Sequence, residues 1–145
     1  MDYRPYSKYV SAMPVTFEWL DHDRTIALTI LSEDWSWKEF NAVSRQYKHD
    51  LEGIDHPVFE IVMFAGSHKY WLPPNALSYG RNLVQAQPEN VVMTVLVTTN
   101  NFIIGMTGIF TRLFGHSYRL EVAHNIDEAR AIIAVAKQYV QEASR

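Results

Sequence analysis

Cysteine is absent from the 145 residues, which excludes disulfide bonds, thiol nucleophiles and thiolate metal sites. A chain without cysteine also suits a reducing compartment. No apolar run approaches the roughly 18 residues needed to cross a bilayer, and the N-terminal segment lacks the apolar core of a secretory signal. We therefore expect a cytoplasmic protein with no transmembrane segment.

Positive charge is also scarce. The chain has 13 Lys and Arg against 16 Asp and Glu, so its formal net charge is −3 with histidine neutral. No bulk positive field attracts a phosphate backbone, and we expect no nucleic-acid partner. The apolar fraction of 48% and the aromatic fraction of 13% are too high for an intrinsically disordered chain.

Metal-binding and catalytic motifs are missing as well. The six histidines form neither a His-x-x-x-His pair nor an H-E-x-x-H unit, and they are His22, His49, His56, His68, His116 and His124. His22 beside Asp21 and Asp23, or His116 with His124, would form a site only if folding brought them together. No P-loop, glycine-rich phosphate fingerprint or nucleophile elbow is present. We therefore predict no metal, no cofactor and no catalytic residues.

Short β-rich runs alternate with amphipathic segments along the chain. The predicted strands are 15–20, 25–31, 57–65, 91–97 and 118–123, and the later predicted helices are 75–87, 102–114 and a segment after Asn125. Helices between strands predict parallel pairing through right-handed crossovers, whereas the polar spacer 21–24 predicts a hairpin. The expected fold is α/β, with a single mixed, mostly parallel sheet of about five strands in ββαβαβαβα order. Residues 15–145 are expected to form one domain, and 1–14 an N-terminal arm.

The first helix has the clearest start. Ser36 stands three residues before Glu39, which is the spacing of a capping box, and Trp35 and Phe40 are placed to form a hydrophobic staple. Gly53 is expected to mark the end of this helix. The expected N-caps of the later helices are Asn100 or Asn101 for the third and Asn125, with Glu128 three residues on, for the fourth.

The element order resembles the STAS (anti-sigma-factor antagonist) family over roughly residues 15–140. The resemblance rests on this order and on the sequences Trp35-Ser36-Trp37-Lys38-Glu39, Pro88-Glu89-Asn90 and Ile126-Asp127-Glu128-Ala129. It implies the STAS fold and a non-catalytic regulatory or protein-interaction domain.

The chain departs from that family at its phosphorylation motif. Phosphorylatable members carry Asp-Ser-Ser-Gly at a helix N-terminus, and the loop from Phe64 to Leu77 is the matching segment here. The four motif positions fall on Pro73, Pro74, Asn75 and Ala76. The phosphoacceptor position is Pro74, which has no hydroxyl, so the resemblance implies binding without the usual phospho-switch.

A first candidate site is the loop before the second helix. Ligands of alternating α/β sheets favour the carboxyl ends of the strands, and helix N-termini attract anions. The candidate ligand-binding residues are Ser67, His68, Lys69, Tyr70, Trp71 and Asn75. Lysine and histidine would complement a phosphate or carboxylate, so a small anion or nucleotide is the predicted ligand. The alternative is an ordinary loop whose aromatic rings cap the sheet edge.

A second candidate site is the third helix, whose apolar residues exceed one amphipathic stripe. The candidate interface residues are Phe102, Met106, Ile109, Phe110 and Leu113. A protein partner or a second copy would cover them. Alternatively, the N-terminal arm or the last helix covers this surface within the chain. Lipid contact is a weaker interpretation, because Arg112 is the helix's one basic residue.

Glu60 interrupts an otherwise apolar strand. A buried carboxylate needs a partner, and we expect an arginine or lysine from a neighbouring helix. The leading functional hypothesis is a non-catalytic interaction domain that binds a protein partner or a second copy of the chain through the third helix. The alternative is a small-ligand sensor at residues 66–75. An enzyme that uses Glu60 or His68 is the third hypothesis.

Overall fold

The computed structural model describes residues 14–32, 34–65, 75–115 and 119–143. The strands are β1 (Val15–Trp19), β2 (Ile26–Leu31), β3 (Val58–Phe64), β4 (Val91–Val97) and β5 (Leu120–Ala123). The helices are α1 (Trp37–Leu51), α2 (Ala76–Gln85), α3 (Asn101–Phe114) and α4 (Ile126–Ala143). The predicted ββαβαβαβα order is confirmed. No helix in this part of the chain is long and apolar enough to cross a membrane.

The five strands form one sheet in the order β1-β2-β3-β4-β5. β1 pairs with β2 antiparallel, and the remaining neighbours are parallel, which confirms the mixed, mostly parallel sheet. From β2 to β5 the chain moves across the sheet in one direction, from each strand to its next neighbour. Because the crossovers between these parallel strands are right-handed, α1, α2 and α3 all lie on one face of the sheet. α4 follows the edge strand β5 and packs on the opposite face.

The α4 face of the sheet is a closed apolar core. Alternate strand residues point to it, as the two-residue period of a strand requires. These residues are Ile26, Leu28, Ile30, Phe59, Ile61, Met93, Val95, Val97 and Ala123. They pack against Ala129, Ile133 and Ala136 of α4, and the side chains of Ile61 and Val95 are fully buried.

The other face is covered near β1 and β2 by α1. Tyr47 and Leu51 of α1 pack on this part of the sheet, and the Tyr47 ring lies 4.8 Å from that of Phe17 and 5.8 Å from that of Trp19. The C-terminal half of α1 therefore packs closely on this part of the sheet. Farther along the same face, toward β3 and β4, the packing is more open.

The local signals at the helix starts are confirmed. Ser36 and Glu39 form the reciprocal capping box of α1, and the Trp35 and Phe40 rings lie 6.0 Å apart. Asn100, rather than Asn101, caps α3 by accepting from Phe102 and Ile103. The Asn125 side chain accepts from the Glu128 amide at 2.7 Å. The expected ends of two helices are confirmed as well: Gly53 directly follows the C-cap Glu52 of α1, and α3 ends at Phe114. α2 is shorter than the predicted 75–87.

The hairpin between β1 and β2 is held by the Asp21 carboxylate. Its Oδ1 accepts from the backbone N–H groups of Thr25 at 2.9 Å and Ile26 at 3.0 Å, and the Thr25 hydroxyl donates to Oδ2. Lys137 of α4 donates to the same hydroxyl at 2.9 Å. Burial raises the pKa of Asp21, but these hydrogen bonds and Lys137 outweigh it, so the pKa lies below its ordinary value of 3.8.

We expect Asp21→Asn to lower the free energy of unfolding by about 1 kcal/mol near neutral pH, because the charge-assisted hydrogen bonds weaken. The carboxylate stabilises the fold above its unfolded pKa, and this contribution is lost as the pH falls through the lower folded pKa. The difference between wild type and variant should therefore shrink below about pH 4. Urea unfolding at several pH values measures it, with the exposed Asp23→Asn as control. A difference that stays constant into the acid range would contradict this role.

Candidate functional site

The predicted ligand loop lies mostly outside the described residues. Residues 66–74 fall outside the described ranges, and they include Ser67, His68, Lys69, Tyr70 and Trp71. Asn75 is exposed, has a φ of 66° and lies directly before α2, where its carbonyl accepts from Tyr79 at 3.0 Å. A ligand at this loop stays a prediction.

A cavity of about 200 Å³ lies between the sheet and the helices α1, α2 and α3, and it is partly open to solvent. Its floor is formed by the sheet face that α4 does not cover. The floor residues are Thr29, Leu31, Glu60, Val62, Phe64, Thr94, Leu96 and Leu120. The cavity therefore occupies the part of this face that α1 leaves open.

Two helices supply the side walls of the cavity. Trp37, Phe40 and Ser44 of α1 line one side, at the spacing of a single helix face. The opposite wall comes from the inner face of α3, and its lining residues are Ile103, Met106, Thr107 and Phe110. The Thr107 hydroxyl donates back to the Ile103 carbonyl at 2.8 Å, which leaves its methyl group for the apolar lining.

The candidate interface residues on α3 are thus divided between two surfaces. Met106 and Phe110 are half-buried and line the cavity. Phe102, Ile109 and Leu113 are exposed at 44%, 44% and 54%. Because α4 packs on the opposite face of the sheet, the interpretation in which the last helix covers α3 is wrong. Cover by the N-terminal arm falls on residues 1–13, which lie outside the described residues.

α2 closes the cavity from above through Ala76, Leu77, Gly80 and Leu83. Tyr79 stacks on Trp37 of α1, with ring centroids 4.6 Å apart and an interplanar angle of 7°. On the other side, a Cβ at Gly80 would lie 2.8 Å from the Phe110 ring of α3. The glycine therefore allows α2 and α3 to approach closely.

A polar cluster interrupts the apolar lining at the floor. The Glu60 carboxylate oxygen Oε1 accepts from the Thr94 hydroxyl at 2.6 Å and from the Gln87 side-chain amide at 3.4 Å. All three side chains line the cavity. Sequence reasoning identified Glu60 as anomalous, but not its place in a cavity. Its expected arginine or lysine partner stays a prediction.

The histidines that the structure places lie away from this cluster. His124, just before α4, contacts Glu128 at 3.3 Å, and His49 of α1 contacts Glu52 at 3.4 Å, and all four side chains are exposed. Within the described ranges, no group of three or more His, Cys, Asp and Glu side chains is arranged to hold a metal ion. His68 and His116 lie outside those ranges.

Similarity to known proteins identifies no family for this chain. Comparison of the chain with protein-family models, with curated proteins and with solved structures gives no match. Function must therefore be inferred from the cavity and from the exposed surface of α3.

Proposed function

We propose that this protein is a non-catalytic ligand-binding domain that takes up a small, mainly apolar molecule between the sheet and α1–α3. The observation that supports it is the cavity of about 200 Å³. Protein interiors are close-packed, with few voids larger than a water molecule. A space of this size on a packed face of the sheet is therefore best explained by a molecule that occupies it.

The lining matches the chemistry of small-molecule pockets, which are mostly apolar and aromatic with few polar groups. The aromatic residues of the lining are Trp35, Trp37, Phe40, Tyr47, Phe64 and Phe110. A dry cavity of about 150 Å³ accommodates benzene, so this one has room for a six-membered ring with a short substituent. A ligand of that size would fill the void and restore close packing.

The proposed ligand differs from the small anion that the sequence predicted, but its location is close to the predicted one. The predicted sensor loop ends at Asn75, and the next residue, Ala76, lines the cavity. The ligand, however, is expected to be apolar rather than a small anion, because most of the described lining cannot complement a charge.

A thermal-shift screen of ring compounds with short substituents tests the proposal. A compound present at a hundred times its dissociation constant stabilises the native state by about 2.7 kcal/mol, which raises the melting temperature measurably. We expect several apolar compounds of this size to do so in a saturable manner. If no compound shifts the transition and isothermal titration also detects no binding, the proposal is wrong.

A second candidate function is protein contact through the outer surface of α3, as the sequence suggested. It is supported by the exposure of Phe102, Ile109 and Leu113 on α3. Sedimentation equilibrium and cross-linking of wild type and Leu113→Asp test it. A protein that is strictly monomeric and yields no cross-linked partner would rule out this function.

A STAS-like regulatory role in the cytoplasm belongs to the same proposal. The element order and the mostly parallel sheet support it, and Pro74 at the phosphoacceptor position favours regulation by ligand or partner rather than by phosphate. The enzyme hypothesis with Glu60 or His68 stays an alternative. Turnover of a bound compound, lost in Glu60→Gln, would favour it.

A further inference from the structure

We propose that α2 is a lid ordered by the ligand: it opens by local unfolding from the rest of the domain, and a molecule bound in the cavity holds it closed. The inference rests on the proposed function, because it concerns the regulation of the same cavity. Occupation of the cavity then controls the folding of one helix at the protein surface.

The first step is the packing of α2, which differs from that of the other helices. α1, α3 and α4 each contain buried residues and closely approach at least one strand. The side chains described for α2 are those of all its residues except Val84, and none of them is buried or belongs to the apolar clusters on the sheet. Leu77 and Leu83 of α2 lie over the cavity instead. The stability of α2 therefore depends on what the cavity contains.

The second step is the stability of α2 once it leaves this position. The helix has 10 residues, and isolated helices shorter than about 12–15 residues are marginal in water. Gly80 in its middle lowers the helix propensity further. Detachment and unfolding of α2 therefore occur together. Because segments with few buried apolar contacts open more easily than the whole domain, this opening is local. A ligand that binds only beneath the closed helix shifts this equilibrium toward the closed state.

The third step is the set of contacts that hold α2 closed. The Tyr79 ring stacks on Trp37 of α1 at 4.6 Å, and Tyr79 itself is not among the residues that line the cavity. After the helix, the Asn90 side chain donates to the Ile54 carbonyl at 3.2 Å, which anchors the chain before it enters β4. α2 therefore opens by losing the Tyr79 stack, while the connection at its C-terminal end stays in place.

Hydrogen exchange of the full chain, followed by NMR with and without 2-phenylethanol, tests the proposal. Without the compound, we expect the amides of 79–86 to exchange at least about tenfold faster than the slowest amides of α1 and α3. At a hundred times its dissociation constant, 2-phenylethanol should slow these amides by up to about a hundredfold, the factor that binding to the closed state alone contributes. The amides of 139–143, in the last turn of α4 on the opposite face, are the control and should not change.

Variants of Tyr79 test how the lid is held. Tyr79→Ala removes the stack without removing a side chain that lines the cavity, so the amides of 79–86 should exchange about three- to tenfold faster without ligand. Tyr79→Phe keeps the ring and should behave as the wild type. Tyr139→Ala, the same truncation at a side chain of α4 that is 64% exposed, is the matched control and should leave exchange in α2 unchanged.

The outcomes for the lid and for the cavity differ. If 2-phenylethanol binds saturably but exchange at 79–86 does not slow, or if α2 is as protected as α1 and α3 without it, the lid is overturned and the proposed function stands. Unchanged exchange in a folded Tyr79→Ala would overturn the lid as well. If the wild type shows no saturable binding of 2-phenylethanol, both the lid and the proposed function are overturned. The wild-type measurements decide between these results even if Tyr79→Ala does not fold.

Discussion

Replacement of Val62 by phenylalanine is expected to reduce the affinity for cavity ligands at least tenfold without lowering stability. Val62 lies on the floor strand β3 and lines the cavity, so the larger side chain occupies the volume that the ligand needs. Overpacking of a closed core costs about 1–3 kcal/mol, but here the added ring enters existing space. Calorimetric titration and urea unfolding of the same preparation measure the two effects together.

Val135→Phe is the matched control for this variant. Val135 is 54% exposed on α4, on the far side of the sheet from the cavity, and it undergoes the same chemical change. We expect Val135→Phe to bind cavity ligands with the affinity of the wild type. If Val62→Phe folds normally and also binds them as tightly as the wild type, the ligand binds somewhere other than this cavity.

Ile61→Ala is expected to destabilise the protein by about 3 kcal/mol, within the range of about 2–5 kcal/mol found for such core truncations. Ile61 is the chain neighbour of Val62, but its side chain points to the α4 face, where it is fully buried. The truncation therefore removes buried apolar contacts and leaves a new void in a closed core. The free energy of unfolding in urea measures the loss.

Leu96→Ala is the comparison on the cavity face, because it removes the same number of carbon atoms. Leu96 is half-buried and already borders the cavity, so the lost side chain had fewer contacts to give up. We expect a loss of roughly half that of Ile61→Ala, since partly exposed apolar surface contributes less on burial. Equal losses for the two variants would contradict the description of one closed and one open face.

The fold was accessible to sequence reasoning because its signals are local. Runs of β-branched residues between amphipathic segments gave the element order, and the Ser36–Glu39 capping box gave the start of α1. The direction of the crossovers then limits the arrangement of the sheet. Glycine marked the ends of α1 and α3 in the same way, whereas α2 has no such signal and ends at Gln85 rather than at the predicted 87.

The cavity was not accessible in the same way. It depends on how three helices pack beside one another over the same sheet face, which is a matter of tertiary contacts. The Trp37–Tyr79 stack joins α2 to α1 and the close approach at Gly80 joins α2 to α3, and neither contact has a local signature in the sequence. Glu60 was the one clue, since a carboxylate in an apolar strand implies a polar or open environment.

Methyl NMR spectra of the protein during a titration with 2-phenylethanol test the central claim most directly. If the ligand enters the space between the sheet and α1–α3, the largest shifts will belong to Leu31, Val62, Leu96 and Ile103, which line it. The methyl groups of Ile133, which α4 buries against the opposite face of the sheet, will change little. Shifts that are largest on the α4 side, or an absence of saturable shifts, would contradict the claim.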